Sequence, residues 1–391
     1  MFDARHLIPT PRVTRTAPTL FLGAWSLLLA SCIGLPTRAP GVGVPVAWDA
    51  LPGWVEERPA AAWPALLHTC KRMSARDPRW KELCVDAALF PDPDENTARA
   101  FFETRFQPRA VRNDSGGHDG LVTGYYEPLL EGSRAPSERF RYPIYQRPDD
   151  LLVVDLGELY PELKDRRLRG RVEGRRVVPY FSRAEIANGA AKRLAGRELV
   201  WVDDAVALFF LQIQGSGRVQ LPDGSTLYVG YADQNGHPYQ AIGKKLIELG
   251  ALKPEEVNLE SIRDWLKAHP VEAQDVLNSN PSYVFFVLRD PTLPGPLGSL
   301  QAPLLPERAV AVDPAYIPLG APVWLDTALS DGTSYRRLMF AQDTGGAIKG
   351  PVRADVFFGF GAEAERLAGA MKSRGRLYVL TPAARLDGAR N

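Results

Sequence analysis

The sequence predicts a mainly β protein with a helical N-terminal preface, on three observations. Glycine and proline number 34 each in 391 residues, which favours many turns and short strands over long helices. The apolar spacing from Ala60 to Phe106 suits helices. Beyond Leu121 short apolar runs recur between turn signals, and in the last third their regular spacing suggests a barrel.

The length argues for about two domains. Hydrophobic residues make up 45% and charged residues 24%, a globular balance. Lys plus Arg is 47 against 46 Asp plus Glu, and a net charge of +1 leaves no electrostatic footprint for nucleic acid, so nucleic-acid binding is set aside.

The first element is a targeting segment. Arg12 and Arg15 precede the apolar run Ala17 to Ala30, which is shorter than the roughly 20 residues of a spanning helix. It reads as a secretory signal, and Leu29-Ala30-Ser31-Cys32 resembles the bacterial lipobox. Cys32 is then the lipidated first residue of the mature chain, which is anchored to a membrane without spanning it. Ile33 in place of Asp at the next position points to the outer membrane, with the protein facing the periplasm. Residues 33–53, rich in Gly, Pro and Val, read as a tether.

Folded structure is expected from Trp54. Helices follow around Trp63, Leu66 and Leu67, around Ala87 to Phe90, and over Thr97 to Phe106. Cys70 and Cys84 sit in two of these, either paired or as buried thiols. Leu121 to Tyr126 is a strand that stops at Glu127-Pro128. Turns and strands alternate from Tyr142 to Val154, before a run from Lys164 to Arg176 with six arginines and one lysine among thirteen residues. A short helix is expected over Arg183 to Leu194. The mostly apolar run Leu199 to Ile213, broken by Asp203-Asp204, falls in the strand-like part beyond Leu121 and leads into Gln214-Gly215-Ser216-Gly217, and strand alternation would set Gln212 and Gln214 on one face. Strands Arg218 to Leu221 and Thr226 to Tyr231 flank a Pro222-Asp223-Gly224 turn. Helical periodicity returns in Ala241 to Leu249, Leu259 to Ala268 and Val271 to Leu277. After Asn280-Pro281 come strands at Tyr283–Val287, Ala309–Val312, Pro322–Asp326, Tyr335–Phe340, Ala354–Phe360 and Arg376–Leu380, with a helix over Ala362–Met371.

Chemistry concentrates at strand ends. Asp343 opens the turn Thr344-Gly345-Gly346, and Asp355 precedes Val356-Phe357-Phe358. Acids so placed meet a substrate while apolar neighbours raise a carboxyl pKa towards neutrality. Asp343 is equally suited to hydrogen-bonding the amides of its own turn. Thr123-Gly124-Tyr125-Tyr126-Glu127-Pro128 adds aromatics beside an acid, Gln214 and Ser216 add polar groups, and Val312-Asp313-Pro314 brings a third Asp to a strand end.

Six motifs in order, GYYEP, QIQGSG, VGYADQNGHPY, NPSYVFF, VDPAYIPLGAPVWLD and DTGGAIKGPVRADVFFG, resemble the membrane-bound lytic murein transglycosylase A family from Leu121 to the C-terminus. The last two resemble the 3D domain, whose three aspartates match Asp313, Asp343 and Asp355. The resemblance implies a double-psi β-barrel domain over 54–126 and 281–391, an inserted second β-barrel domain over 127–280, and a groove between them. It implies cleavage of the β-1,4 bond between N-acetylmuramic acid and N-acetylglucosamine without water, leaving 1,6-anhydromuramic ends. Asp355 matches the general acid/base carboxylate, although Arg353-Ala354-Asp355 departs from the His-Phe-Asp of related barrels. Asp343 is expected in support, holding the turn or tuning the pKa of Asp355, with Lys349 nearby as a candidate charge partner. Thr123, Tyr126, Gln214, Ser216, Asp313 and Lys349 are the expected substrate contacts. The implied partners are peptidoglycan glycan strands, the outer membrane and a wall-remodelling complex around a monomer.

Two other readings compete. Asp343-Thr344-Gly345 is the tripeptide of aspartic proteases, but its only counterpart, Asp114-Ser115-Gly116, lies in a polar loop without the apolar strand that class needs. A lipoprotein that binds peptidoglycan without cutting it would be favoured by loss of Asp355, which is present. The five histidines stand in no recognised metal-ligand spacing, and Gly215-Ser216-Gly217 lacks the residues of a phosphate loop, so no metal and no cofactor is expected.

Overall fold

The computed structural model describes residues 39–163 and 168–383. Cys32 and its signal segment lie outside the described residues, as does part of the arginine-rich run. Among the described residues no helix is long and apolar enough to cross a membrane.

The first strand, β1 (Gly41–Pro45), pairs antiparallel with β2 (Phe106–Arg112). The tether expected over 33–53 therefore ends by Gly41. Its Gly, Pro and Val serve an edge strand, where the missing N–H of Pro45 leaves no ladder bond unmade. Three helices connect the two strands: α1 (Trp63–Met73), α2 (Pro78–Ala88) and α3 (Glu95–Arg105). Asp77 and Asp94 cap the second and third by accepting from the N–H groups of Arg79 and Thr97.

Cys70 and Cys84 are joined, pinning α1 to α2. The bridge closes a loop of 14 residues, so replacing both by serine is expected to cost about 3 kcal/mol. Chemical denaturation of the double variant beside the oxidised wild type checks this; an equal midpoint would remove the bridge from the account of stability.

After β3 (Gly120–Glu127), Pro128 ends the strand and a second unit begins. It runs through β4 (Leu129–Ser133), β5 (Tyr142–Tyr145), β6 (Leu152–Val153), β7 (Arg169–Glu173), β8 (Arg176–Val178) and α4 (Arg183–Ala187). It continues with β9 (Glu198–Val202), α5 (Ala205–Gln214), β10 (Ser216–Gln220), β11 (Thr226–Gln234), α6 (Ile242–Glu248), α7 (Leu259–Ala268), α8 (Pro270–Asn278) and β12 (Val284–Leu288). Six of its strands form a sheet in the order β12-β11-β10-β4-β9-β5. A bridge between Gln146 and Phe286 brings its two edges together around Leu130, Ile144, Val200, Val219 and Phe286. β12 pairs antiparallel with β11, so this sheet takes in Val284–Leu288.

The run from Leu199 to Ile213 is part strand and part helix. Asp204 breaks the run because it caps α5, its carboxylate accepting from the N–H groups of Val206 and Ala207. Gly215, at φ +80°, ends the helix in the left-handed conformation that glycine adopts without strain. Gln212 is consequently buried while Gln214 is partly exposed; the two do not share a strand face.

The chain returns through β13 (Ala309–Val312), β14 (Pro322–Ala328), β15 (Ser334–Asp343), β16 (Arg353–Phe360), α9 (Ala362–Ala370) and β17 (Lys372–Pro382). β3 pairs parallel with β16 and antiparallel with β17. With the pairings β17-β14-β15-β13-β16 this closes six strands into a ring. Strand alternation fills its inside with Val122, Val310, Val312, Val323, Leu325, Met339, Ala341, Ala354 and Val356. The alternate residues Trp324, Leu338, Phe340 and Leu380 point outward and pack under the preface against Trp63, Trp80 and Phe102. Gly124 is required where it stands: a Cβ there would lie 2.6 Å from the Phe358 ring and 2.9 Å from the Cα of Ala368 in α9.

Candidate active site

The ring's register assembles the acids. Ala311 of β13 is the Cα partner of Asp343 on one side and of Asp355 on the other, and Asp355 is in turn the partner of Thr123. At 4.7–4.9 Å per strand the two acidic Cα atoms are about 10 Å apart. Since Ala354 and Val356 face the interior, Asp355 faces out, as does Thr123 between Val122 and Gly124. Asp343 reaches this row through an irregularity: Val310 pairs with Ala341, but Ala311 pairs with Asp343. The extra residue in β15 brings Asp343 into line where regular pairing would set Gln342.

The two carboxylates differ in their partners. Asp343 Oδ1 accepts from the Ser299 N–H at 2.9 Å, the Ser299 hydroxyl at 3.0 Å and the Thr344 N–H at 2.9 Å; Oδ2 accepts from the Tyr125 hydroxyl at 2.9 Å. Asp355 Oδ1 accepts a short hydrogen bond from the Thr123 hydroxyl, and no hydrogen bond reaches Oδ2 among the described residues. The Thr123 hydroxyl is fixed in that role because its oxygen accepts from Arg353 Nη2 at 2.9 Å.

Burial pushes the pKa of Asp355 above the ordinary carboxylate range; the Thr123 hydrogen bond and the Arg353 charge pull it back, and the neighbouring Asp343 charge pushes it further up. Burial also raises Asp343, against the pull of its four donors. Tyr125 is driven well above its ordinary value, first by burial and then by Asp343, so it stays a donor. Asp343 is thus committed on both oxygens, whereas Asp355 presents a free oxygen able to carry a proton.

Beside this row a cleft of about 900 Å³ lies between the ring and the inserted unit. Thr123 and Tyr126 line it from β3, Gln214 from α5, Arg263 from α7 and Glu365 from α9. Tyr126 is only 2% exposed and its hydroxyl accepts from Arg263 Nη2 at 2.9 Å. Tyr125 and Tyr126 therefore diverge as adjacent strand residues must, one to Asp343 and the other to the cleft wall. Gln214 Oε1 accepts from the Tyr126 N–H at 3.2 Å. Ser216 is buried; Glu127, which accepts from Arg218 Nη2 at 3.3 Å, has its pKa raised by burial and drawn back by Arg218 and by Ser216.

Lys349 Nζ lies 3.9 Å from Asp313 Oδ1, and the cation acting on Asp355 is Arg353. Asp313 is only 6% exposed and holds loops together, Oδ1 accepting from the Ala315 N–H and Oδ2 from the Gly350 N–H. Asp114 sits in an exposed turn built around Asn113 Oδ1, which accepts from the N–H groups of Ser115 and Gly117. Of the partners of Asp343, the GYY motif signals Tyr125 in the sequence, while the Gly-Ser turn 44 residues upstream carries no signal for Ser299.

Residues 121–287 match the family described as the MltA specific insert domain, and residues 308–381 match the 3D domain. Membrane-bound lytic murein transglycosylase A of Escherichia coli K12 is 35% identical over 271 residues, 67% of this chain and 65% of the relative. The match thus spans just under two thirds of that relative's length. Among solved structures, MltA from Neisseria gonorrhoeae in its monoclinic form is 37% identical with a TM-score of 0.75, covering 88% of this chain and 96% of that one. Escherichia coli MltA with bound chitohexaose is 27% identical with a TM-score of 0.64, covering 84% and 91%. With two family matches flanking the cleft and a solved relative aligned over nearly its whole length, the chain belongs to the membrane-bound lytic murein transglycosylase A family.

Proposed function

We propose that this protein cleaves the β-1,4 bond between N-acetylmuramic acid and N-acetylglucosamine of peptidoglycan without water, leaving a 1,6-anhydromuramic end. The observation that carries the reading is the carboxyl oxygen Asp355 Oδ2, which no hydrogen bond reaches among the described residues, in a raised-pKa site beside a cleft. Protonated Asp355 gives its proton to the glycosidic oxygen as the C1–O bond breaks. The resulting carboxylate takes the proton of the sugar's own C6 hydroxyl as O6 bonds to C1, so one residue serves as acid and then base. An intramolecular nucleophile supplies the high effective concentration that a bound water would otherwise need. A hydrolase needs a second carboxyl to activate water or attack the sugar, and the nearest one, Asp343, has both oxygens occupied. Asp343 and Tyr125 act as positioning residues for the strand end.

The chitohexaose held by the Escherichia coli relative supports the cleft as the glycan site here, with Thr123, Gln214 and the Tyr126 wall as sugar contacts and the buried Ser216 behind them. Two parallel pairings within the ring, β13 with β15 and β16 with β3, support reading it as a double-psi barrel. The signal segment and Cys32 support an outer-membrane lipoprotein facing the periplasm, working as a monomer on glycan strands, alone or within a wall-remodelling complex. The test is mass spectrometry of soluble products from purified peptidoglycan. Anhydromuropeptides from the wild type and none from Asp355→Asn are expected; reducing ends, heavier by one water, would contradict it, and no products from either protein would favour a binding lipoprotein.

Thr123→Val tests the polar relay. Without the hydroxyl donor the Asp355 carboxylate loses a stabilising hydrogen bond and its pKa rises. The alkaline limb of kcat/KM, which reports loss of the protonated acid, is expected to move to higher pH, with kcat about tenfold lower at the optimum. An unmoved limb would detach Thr123 from the proton chemistry.

A further inference from the structure

The reaction proposed above leaves the motif VGYADQNGHPY without a task, yet the polar groups at its turn are committed. Asn235, 1% exposed, uses its whole amide. Its Nδ2 donates to the Phe181 and Pro281 carbonyls, each at 2.8 Å, and its Oδ1 accepts from the Tyr283 N–H at 2.9 Å and the His237 N–H at 3.3 Å. His237 Nε2 donates to the Tyr180 carbonyl at 2.7 Å, and the Gln240 N–H donates to Asn280 Oδ1 at 3.1 Å. The turn is thus held from both sides, by 180–181 and by 280–283, and Pro238 adds its fixed φ. A satisfied buried network of this kind is rigid.

What the turn carries to the cleft is Tyr239. It lines the wall with Phe210, Ile213 and Gln214 of α5, while Thr123, the register partner of Asp355, lines the cleft from the ring. Tyr239 is 40% exposed, although burial raises the pKa of its hydroxyl and the charge of the buried Arg183 acts on it. The hydroxyl end therefore lies in the wall, and the ring is what the cleft meets. Covering an exposed aromatic face is favourable, and a rigid mount lowers the ordering cost of the ligand that covers it. A β-1,4-linked pyranose presents axial C–H groups on its faces, which suit the negative face of an aromatic ring.

We propose that Tyr239 is a stacking platform on which one sugar of the glycan strand rests. The proposal rests on reading this cleft as the glycan site and adds a specificity-determining residue to it. Tyr239 stands on the inserted unit, whereas both acids stand on the ring, so its grip is shared by ground and transition states and appears in KM.

The test measures kcat and KM on glycan strands of defined, increasing length for wild type, Tyr239→Leu, Tyr239→Phe and Tyr239→Trp. The Leu variant keeps apolar bulk without an aromatic face. On strands long enough to reach the platform its KM is expected to rise about fivefold with kcat nearly unchanged, and on the shortest strands cleaved it should match wild type. The Phe variant lacks only the hydroxyl and should keep the wild-type KM, and the Trp variant, with its larger face, should equal or improve on it. A Leu variant with unchanged KM at every length, or equal losses in the Leu and Phe variants, would overturn the proposal. So would a Trp variant that weakens binding as the Leu variant does. If the wild type yields no anhydro product from any strand, the transglycosylase reading fails and the platform is tested by itself, through Kd for the same strands. There a fivefold weakening confined to the Leu variant upholds it, and an unchanged Kd, or no binding by the wild type, overturns it.

Discussion

Asp355→Asn is expected to lower kcat on peptidoglycan by roughly 10³-fold, within the range of a positioned acid/base, while the protein becomes more stable at neutral pH. The two effects have one cause. Burial raises the folded-state pKa of Asp355 above the ordinary 3.8, so the native state binds this proton more tightly than the unfolded chain. Stability then falls as pH rises from about the ordinary value through the raised one, and above both the ionised carboxylate is a constant burden on the fold. Asparagine carries no charge and can still accept from Thr123, so it removes that burden. Thermal unfolding of the two proteins from pH 3 to pH 8 should show the variant ahead at neutral pH and the gap closing on acidification. A variant less stable at neutral pH would place Asp355 among the structural acids and remove the basis for its proton-carrying role.

Asp343→Ala is expected to act in the opposite sense. It strips the acceptor from four donors, two of them the backbone N–H groups of Ser299 and Thr344, and unsatisfied buried donors are costly. A loss of about 2–4 kcal/mol is expected, reduced from the full sum because the strand end is partly open to water. Activity should fall as well, because Ser299 anchors the loop beside the row of acids. Asp343→Asn keeps an acceptor for Ser299 and Thr344 and should recover most of the stability. Urea denaturation of the three proteins distinguishes these outcomes. If alanine and asparagine cost the same, the charge of Asp343 matters rather than its acceptor geometry.

Most of this architecture was legible because its elements obey local rules. The final five strands and the helix after Gly361 fall where the apolar runs lie, and the preface helices begin where Asp77 and Asp94 cap them. What was not legible depends on partners distant in sequence. The Gly-Val-Pro composition of residues 41–45 reads as linker until β2 supplies a ladder. The apolar stretch after Val202 has no period that separates buried helix from buried strand, and only the cap at Asp204 and the glycine at 215 decide it. At the site, Asp343 and Asp355 stand out by their flanks. The bulge that aligns Asp343 with Asp355 and the hydrogen bond of Arg353 to Thr123 beside Asp355 are properties of register, which single-chain periodicity does not encode.

In the proposed reaction the C6 hydroxyl, and not water, receives the muramic carbon when Asp355 protonates the bond. It is tested most directly by digesting peptidoglycan in water enriched in oxygen-18 and reading the masses of the muramic ends. The account predicts anhydro ends one water lighter than reducing ends and free of the label. Reducing ends carrying one oxygen-18 would contradict it, and would require a water-activating group that neither carboxylate, as bonded here, supplies.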